Sequence, residues 1–349
     1  MRIGAIYALL AALLFGISTP FAKILTGHVA PQMLAGLLYA GSGLGLLTWY
    51  LLRRKFVSID IVQSSLTKTD LPWLSGAILF GGIFAPVLLM LGLVSTPAST
   101  ASLMLNLEGV LTALLAWFVF KENYDKRIML GMTFIVLGGL LLSWQRGESN
   151  TIPWSAVTIA AACLCWAIDN NLTRKVSASD PVQIAGLKGL IAGIVNLTIA
   201  MLLGNSLPIL KDIALAGLIG FAGYGISLVL FVLALRHIGT ARTGAYFSAS
   251  PFMGVVVSIL LFNEVPNGLF WIATALMGIG VWLHLSENHE HAHLHEPMDH
   301  SHPHDHDEHH QHMHDFVWDN TQSHTHEHQH ISMRHAHPHF PDVHHQHSH

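Results

Sequence analysis

Long apolar runs separated by short polar segments dominate the first 286 residues of the chain. A helix that crosses a membrane needs about 20 mostly apolar residues. Prolines lie in or beside most of the polar connections, where a missing backbone N–H costs least. The pattern predicts ten membrane-spanning helices, at residues 3–25, 31–52, 73–95, 98–120, 127–145, 152–173, 182–204, 211–235, 241–262 and 266–285.

Composition divides the chain into a membrane part and a histidine-rich tail. Of the 349 residues, 52% are hydrophobic and 11% are charged. Residues 287–349 hold 23 of the 26 histidines, together with 11 acidic residues and one arginine. Because this segment has few apolar residues, we expect it to be disordered without metal. The net charge of −4 and the lack of a basic stripe exclude nucleic-acid binding.

Lysine and arginine positions predict the orientation of the spans. With the N-terminus in the cytoplasm, twelve of these residues lie on the inner side and three on the outer side, namely Lys23, Arg146 and Lys211. Positive residues favour the cytoplasmic loops. We therefore expect a multi-pass protein of the cell (inner) membrane with both termini in the cytoplasm.

Short strings recur between the two halves of the membrane part. Each half has five spans, an odd number, so a second copy enters the bilayer inverted. The strings predict an all-α membrane fold of two inverted five-helix repeats, 1–147 and 148–286, followed by the tail 287–349. Chance similarity between apolar helices is the alternative. The aligned strings are Phe15-Gly16-Ile17 with Trp166-Ala167-Ile168, Ala35-Gly36-Leu37 with Ala185-Gly186-Leu187, and Phe118-Val119-Phe120-Lys121-Glu122 with Leu260-Leu261-Phe262-Asn263-Glu264.

Several of these motifs resemble the drug/metabolite transporter superfamily, specifically the EamA-type permeases. The resemblance implies a transporter of amino acids, metabolites or drugs, and it leaves the substrate open. At Leu38-Tyr39 the chain departs from the Arg-Phe that many members carry, which weakens a substrate role there. The motifs are Pro20-x-x-Lys23, Leu107-Glu108-Gly109-Val110, Trp117 to Glu122, Trp166 to Asn171, and Ser250-Pro251-Phe252.

Three charged residues fall within predicted spans and outside the first and last three positions of each span. A charge at bilayer depth costs at least ~2.5–3.5 kcal/mol on insertion scales, so each needs a partner or a purpose. We expect Glu108, near the midplane, to handle protons or cations in a central cavity. Lys188 either contacts an anionic group of the substrate or pairs structurally with Asp169.

Polar and aromatic side chains within the spans are further candidates for substrate contacts. Amides and hydroxyls at these positions also form hydrogen bonds between helices, and Trp and Tyr are enriched at membrane interfaces. Both explanations stay open for Asn106, Asn196, Ser18, Trp166 and Tyr246.

The sequence contains no enzyme constellation. A P-loop for ATP, a nucleophile elbow and a His-Glu-x-x-His motif are all missing. We therefore expect transport to depend on a gradient or on exchange, with no required cofactor.

The tail repeats the pattern His-x-His. Neutral imidazole suits Zn, Ni, Co and Cu ions, so we expect metal binding, with a pH-sensitive tail as the alternative. The segment is too long and too irregular for an expression tag. The candidate ligands are His289, His291, His293, His295, His300, His302, His304, His306, His324, His326, His328 and His330.

Three functions remain open from the sequence. The leading hypothesis is a secondary transporter that exports a small organic solute by alternating access. The second is a divalent transition-metal (Ni, Co or Zn) transporter, and the third is a membrane-tethered metal buffer or sensor. The expected partners are a small-molecule or ion substrate and the lipid bilayer, and a homodimer is left open.

Overall fold

The computed structural model describes residues 2–56, 66–120, 126–144, 154–176, 179–285, 290–295, 299–304, 324–329 and 333–338. The chain divides into two compact units, Met1–Glu287 and Asn288–His349. The described residues of the first unit form helices, and those of the second form short strands.

The first unit is a set of α-helices joined mostly by short turns. Two π-helical segments, Ile78–Phe84 and Phe221–Ile226, continue directly from one α-helix into the next. The α-helices in chain order are α1 (Arg2–Leu25), α2 (Pro31–Phe56), α3 (Leu71–Ala77), α4 (Ala85–Ser95), α5 (Ala98–Met104), α6 (Asn106–Phe120), α7 (Lys126–Trp144), α8 (Trp154–Val176), α9 (Pro181–Leu202), α10 (Leu210–Gly220), α11 (Ser227–Phe247), α12 (Ser250–Phe262) and α13 (Gly268–Leu285).

Helix length and composition identify a multi-pass membrane protein. Large apolar side chains are exposed on the surface of the unit, among them Trp154, Leu202 and Leu260, and such a surface suits contact with lipid. Three shorter apolar helices, Met129–Ser143, Ser250–Phe262 and Gly268–Leu283, lie where the sequence predicts the fifth, ninth and tenth spans. Within the described residues, seven segments are long and apolar enough to cross a membrane: Ile3–Leu25, Pro31–Leu52, Leu71–Ser95, Ala98–Leu115, Trp154–Thr173, Pro181–Leu202 and Leu210–Ala234.

The predicted connection between the eighth and ninth spans is wrong. The sequence interpretation places it between residues 235 and 241, but α11 continues as helix from Ser227 to Phe247. No proline interrupts the backbone hydrogen bonds there. The turn falls instead at Ser248 and Ala249, just before α12, whose first turn accommodates Pro251.

Irregular backbone geometry recurs at matching places in the two halves. One π-segment leads into α4 and the other into α11. A break between two helices follows in both cases, at Leu105 between α5 and α6 and at Ser248 and Ala249 between α11 and α12. The halves thus share local distortions that their hydropathy does not reveal.

The helices α2 and α9 pack closely and run antiparallel. An added Cβ at Gly36 would lie 2.8 Å from the backbone nitrogen of Leu197. Further along α2, Ala40 and Gly43 lie against residues progressively earlier in α9, namely Gly193 and then Gly189. Small residues allow such an approach of two backbones.

Three other helix pairs are also antiparallel. At one end of the α1–α11 pair, Gly4 lies beside His237, and further along the hydroxyl of Ser227 donates to the carbonyl of Ala11 at 2.9 Å. The segment α3–α4 packs in the same way on α8, and α7 packs on α13. Helix α1 contacts α11 and α12, while α8 contacts α4 and α6.

The second unit contains four strands, β1 (Glu290–His295), β2 (Asp299–His304), β3 (His324–Gln329) and β4 (Met333–Pro338). Strand β1 pairs antiparallel with β4, and β2 pairs antiparallel with β3. Because His-x-His repeats with the two-residue period of a strand, the registers place histidine opposite histidine: 291 with 337, 293 with 335, 300 with 328, 302 with 326, and 304 with 324.

Candidate functional site

Two buried charges form an ion pair between α8 and α9. The ammonium of Lys188 donates to the carboxylate of Asp169. The hydroxyl of Thr173 donates to the other oxygen of this carboxylate at 2.9 Å. Lys188 and Asp169 have only 5% and 4% of their surface exposed, a burial that charges tolerate when they are paired and hydrogen-bonded. The pairing alternative from the sequence is therefore present in the structure.

The first π-segment packs against this ion pair. A π-turn rearranges the backbone hydrogen bonds of a helix, and here the carbonyl of Gly81 accepts two bonds from side chains. The hydroxyl of Tyr39 donates to it at 2.6 Å, and the indole N–H of Trp166 donates at 3.1 Å. A Cβ at position 81 would overlap the carboxylate of Asp169. Glycine at this position lets α8 approach the π-segment.

Glu108 occupies the first turn of α6, directly after the interruption at Leu105. Its carboxylate accepts a hydrogen bond from the amide of Asn170 at 2.8 Å, and the same amide lies 3.4 Å from the hydroxyl of Thr112. The side chain is half-buried, and an added Cβ at Gly109 would meet no atom within 4 Å. Position 109, the next residue along α6, is therefore not packed against another helix.

Four aromatic rings cluster next to these charges. We call Phe15, Tyr39, Trp166 and Tyr224 the aromatic cluster. The ring of Phe15 lies 5.9 Å from that of Trp166 and 5.8 Å from that of Tyr224, both in edge contacts. Tyr39 and Tyr224 lie 5.3 Å apart. Such distances are typical of favourable ring pairs, so the cluster joins α1, α2, α8 and the second π-segment.

Three predicted substrate contacts are engaged in hydrogen bonds to the backbone. Such bonds satisfy carbonyls where a helix is distorted or interrupted. The side chains and their acceptors are Ser18 with Phe15 at 2.6 Å, Asn106 with Leu103 at 2.9 Å, and Asn196 with Gly82 at 3.1 Å. Asn196 thereby joins α9 to the first π-segment, whereas Ser18 bonds within its own helix. A substrate contact by any of the three stays a prediction.

The other predicted contacts divide into two groups. Glu108 lies within electrostatic range of both Lys188 and Asp169, and Trp166 lies one helical turn from Asn170. These residues are close enough to act together. Tyr246 instead lies near the end of α11 with 40% of its surface exposed.

Sequence reasoning missed Asn170 as the hydrogen-bond partner of Glu108, and Thr112 as a second partner of Asn170. Asn170 follows Trp166 by four residues, and residues at this spacing share one face of a helix. That spacing was the available signal for Asn170. For Thr112, four residues after Glu108 on α6, the same rule applies.

Charged residues at the helix ends bind neighbouring helices. The ammonium of Lys23 donates to the carbonyls of Leu93 and Val94 at the end of α4. The carboxylate of Glu264 accepts from the backbone N–H of Ala98 at 2.9 Å and from the N–H and hydroxyl of Ser99. An anion suits a helix N-terminus and a cation suits a C-terminus. These contacts tie α1 to α4 and the end of α12 to α5.

The metal candidates of the tail fall in two groups. His289, His306 and His330 lie outside the described residues, and the others lie on β1, β2 and β3. Within the part of the chain whose side chains the structure describes, no group of three or more His, Cys, Asp or Glu is placed to hold a metal ion.

Comparison with known proteins points to one family. A sequence model of the EamA-like transporter family matches residues 2–144 and 153–286. The chain is also similar to a solved crystal structure with a TM-score of 0.61 and 20% identity, over 80% of this chain and 94% of that one. The second likeness shows a shared fold.

Named relatives are transporters. The chain is 27% identical over 296 residues to an uncharacterized transporter of Methanothermobacter thermautotrophicus, covering 80% of this chain and 85% of the relative. It is 25% identical over 275 residues to the uncharacterized transporter YyaM of Bacillus subtilis, covering 76% and 87%. It is 24% identical over 298 residues to a probable amino-acid metabolite efflux pump of Salmonella typhimurium, covering 80% and 93%.

Proposed function

Because the chain belongs to the EamA-like transporter family, we propose that this membrane transporter of small solutes exports an organic solute by secondary active transport with alternating access. The observation that carries the proposal is the half-buried carboxylate of Glu108, which accepts a hydrogen bond from the amide of Asn170 within the membrane domain. A carboxylate inside a membrane domain is costly and is typically functional. The relative named as a metabolite efflux pump supports the direction of transport.

We propose that the membrane domain consists of two inverted five-span repeats, 1–147 and 148–286. The sequence alignment makes α2 and α9 equivalent, and the two helices run antiparallel. The two π-segments, and the breaks between helices that follow them, also fall at corresponding places in the two halves. In such a plan the substrate site lies between the repeats near the membrane midplane, which is where the sequence places Glu108.

Alternating access gives the contacts at the helix ends a role. In the predicted orientation both termini lie in the cytoplasm. Lys23 and Glu264 then lie on the outer side of the cell (inner) membrane. Their bonds to α4 and α5 close that side. These bonds have to break when the site opens outward, because the cluster around Glu108 is then reached from the outer side of the membrane.

The sequence contains no ATP-binding motif, so a gradient or exchange drives the export that we propose. Glu108 is the group that binds a proton or a cation during the cycle. The charges of Asp169 and Lys188 neutralise one another. The pair holds α8 and α9 together beside the first π-segment. Their roles in this proposal are structural.

Reconstitution into vesicles tests the proposal. The purified full-length protein is loaded into liposomes, and fluxes of amino acids, amines, organic acids and Ni²⁺, Co²⁺ and Zn²⁺ are measured against protein-free vesicles. We expect flux of at least one organic solute and its loss in Glu108→Gln, which keeps an acceptor for Asn170. Metal flux alone would favour the metal transporter, and no flux at all would favour a tethered metal buffer or sensor.

We also propose that the tail binds Zn, Ni, Co or Cu ions in the cytoplasm. The strand registers support this, because residues directly opposite in an antiparallel pair have Cβ atoms about 4.5–5.5 Å apart and the registers pair histidines. Calorimetric titration of the full-length protein and of a version ending at His284 with Zn²⁺ and Ni²⁺ tests it. Equal binding by both proteins would contradict a metal-binding tail.

A further inference from the structure

The charges around Glu108 do not cancel. Asp169 and Lys188 neutralise one another. The carboxylate of Glu108 is hydrogen-bonded by the neutral amide of Asn170. Among the described side chains, no Lys, Arg or His forms an ion pair with Glu108. When Glu108 is ionised, the group therefore carries one uncompensated negative charge.

Aromatic rings lie near this charge. Trp166 precedes Asn170 by one helical turn, and its ring makes an edge-to-face contact with that of Phe15. Tyr224 contacts Phe15 in the same way and lies within electrostatic range of Glu108. The face of an aromatic ring attracts cations, and the attraction strengthens when water is excluded.

The chemistry of this group therefore discriminates between cargo charges. Among the described side chains, an anion would meet the carboxylate of Glu108 without a free cation to bind. Lys188 is already held by Asp169, and Thr173 positions the carboxylate of Asp169. A zwitterion would gain one contact and leave its own carboxylate unpaired in a low-dielectric site. A monocation would neutralise Glu108 and place its apolar part against the aromatic cluster.

We propose that the cargo is an organic monocation, an amine or quaternary ammonium with an apolar or aromatic body, whose charge binds at Glu108 beside Phe15, Trp166 and Tyr224. This inference rests on the proposed function of transport. It adds the charge of the cargo, which neither the family nor the names of its relatives specify.

Three probes of similar shape and different fixed charge test the inference. Benzyltrimethylammonium is a permanent cation, phenylalanine a zwitterion and benzylsulfonate a permanent anion. Uptake of each probe into vesicles containing the full-length protein is measured at neutral pH. We expect saturable uptake of the cation that exceeds that of the other two by roughly tenfold or more, a difference of about 1.4 kcal/mol in effective binding.

Matched variants assign the effect to Glu108. Glu108→Gln removes the charge and keeps the shape, and we expect it to abolish cation uptake. Asp212→Asn removes a carboxylate from the first turn of α10, and we expect uptake to stay unchanged. A thermal-shift assay in detergent gives a second readout, in which the cation raises the melting temperature of the wild type and leaves that of Glu108→Gln unchanged.

The outcomes separate this inference from the proposed function. Uptake of phenylalanine or benzylsulfonate in preference to the cation would overturn the inference and leave transport intact. A cation that is neither taken up nor stabilising would also overturn it, whatever the broader solute panel shows. Failure of every solute in that panel would instead contradict the proposed function.

Discussion

The two halves of the membrane domain place different chemistry at aligned positions. In the second half, the side chain of Asp169 packs against Gly81 of the first π-segment. At the aligned place, Ser18 packs against Gly223 of the second π-segment. The close approach of a spanning helix to a glycine in a π-segment is thus common to both halves, while the carboxylate occurs in one.

The same difference extends to the other charges. In the alignment of Ala35-Gly36-Leu37 with Ala185-Gly186-Leu187, Leu38 corresponds to Lys188. In the alignment that ends at Glu122 and Glu264, Ser250 corresponds to Glu108. Leu38 and Ser250 are buried and uncharged. Because one half forms the shared geometry without charges, the fold itself does not require them. We infer that Glu108 serves the function of the site, whereas the pair of Asp169 and Lys188 fixes the position of α8 against α9 without being required for folding.

Removal of one partner of the ion pair is expected to have the largest effect. Asp169→Asn leaves Lys188 buried without a counter-charge, and a broken buried pair costs about 3–5 kcal/mol of unfolding free energy. At the aligned position, the hydroxyl of Ser18 donates to the carbonyl of Phe15 in its own helix. Ser18→Ala should therefore cost about 1 kcal/mol or less. Unfolding of both variants in detergent, followed by circular dichroism, measures the difference.

A double variant sharpens this comparison. Asp169→Ser with Lys188→Leu copies the residues of the other half, and an apolar replacement of a buried pair is often neutral for stability. We expect the double variant to recover most of the stability that Asp169→Asn loses. A double variant as unstable as the single one would show that the ion pair is required for folding, against the conclusion drawn from the aligned half.

Glycine-to-alanine changes in the two π-segments should have intermediate effects. A Cβ at Gly81 would overlap Asp169, and one at Gly223 would overlap Ser18. Overpacking of this kind costs about 1–3 kcal/mol, so both variants should unfold at lower temperature. In the Asp169→Ser background, the cost of Gly81→Ala should fall because the carboxylate is gone. Additive costs in this double-mutant cycle would contradict the contact.

The smallest effect is expected at the outer helix ends. Glu264 caps the first turn of α5, and loss of such a cap costs about 1 kcal/mol. Glu264→Gln should lower the melting temperature slightly and speed the opening of the outer side, measured as labelling of Ser99→Cys. The aligned residue Glu122 lies outside the described residues, and the repeat predicts an equally small cost for Glu122→Gln. A much larger cost at either position would indicate that the ends are not related.

Hydropathy was sufficient to predict the membrane protein class and the approximate positions of the seven long apolar segments within the described residues. The apolar runs are long, and the bilayer fixes the length of a spanning helix. It could not predict the π-segments or the turn at Ser248 and Ala249, because a helix with apolar residues on all faces gives no periodic signal from which to read its rotation or local winding. The boundary error between the eighth and ninth spans has this origin.

The site was partly predictable for the same physical reason. Charges in apolar runs are conspicuous, so Glu108, Lys188 and Asp169 could be selected from the sequence. Their partners depend on how neighbouring helices are rotated, and a list of polar residues cannot settle that. Asn196 and Ser18 were therefore candidates for substrate contact, although their side chains bond to backbone carbonyls. Asn170 was overlooked, although it bonds to Glu108.

The central claim is that Glu108 adjoins a water-accessible space inside the membrane domain, and cysteine labelling at the next residue tests it most directly. Gly109→Cys is made in a background without Cys163 and Cys165, and vesicles of both orientations are treated with a membrane-impermeant thiol reagent that needs water to react. Ile194→Cys is the control, because this apolar residue of α9 has 56% of its surface exposed and is expected to face lipid. We predict labelling at position 109 from at least one side and none at position 194. Absence of labelling at position 109 from both sides would contradict the account.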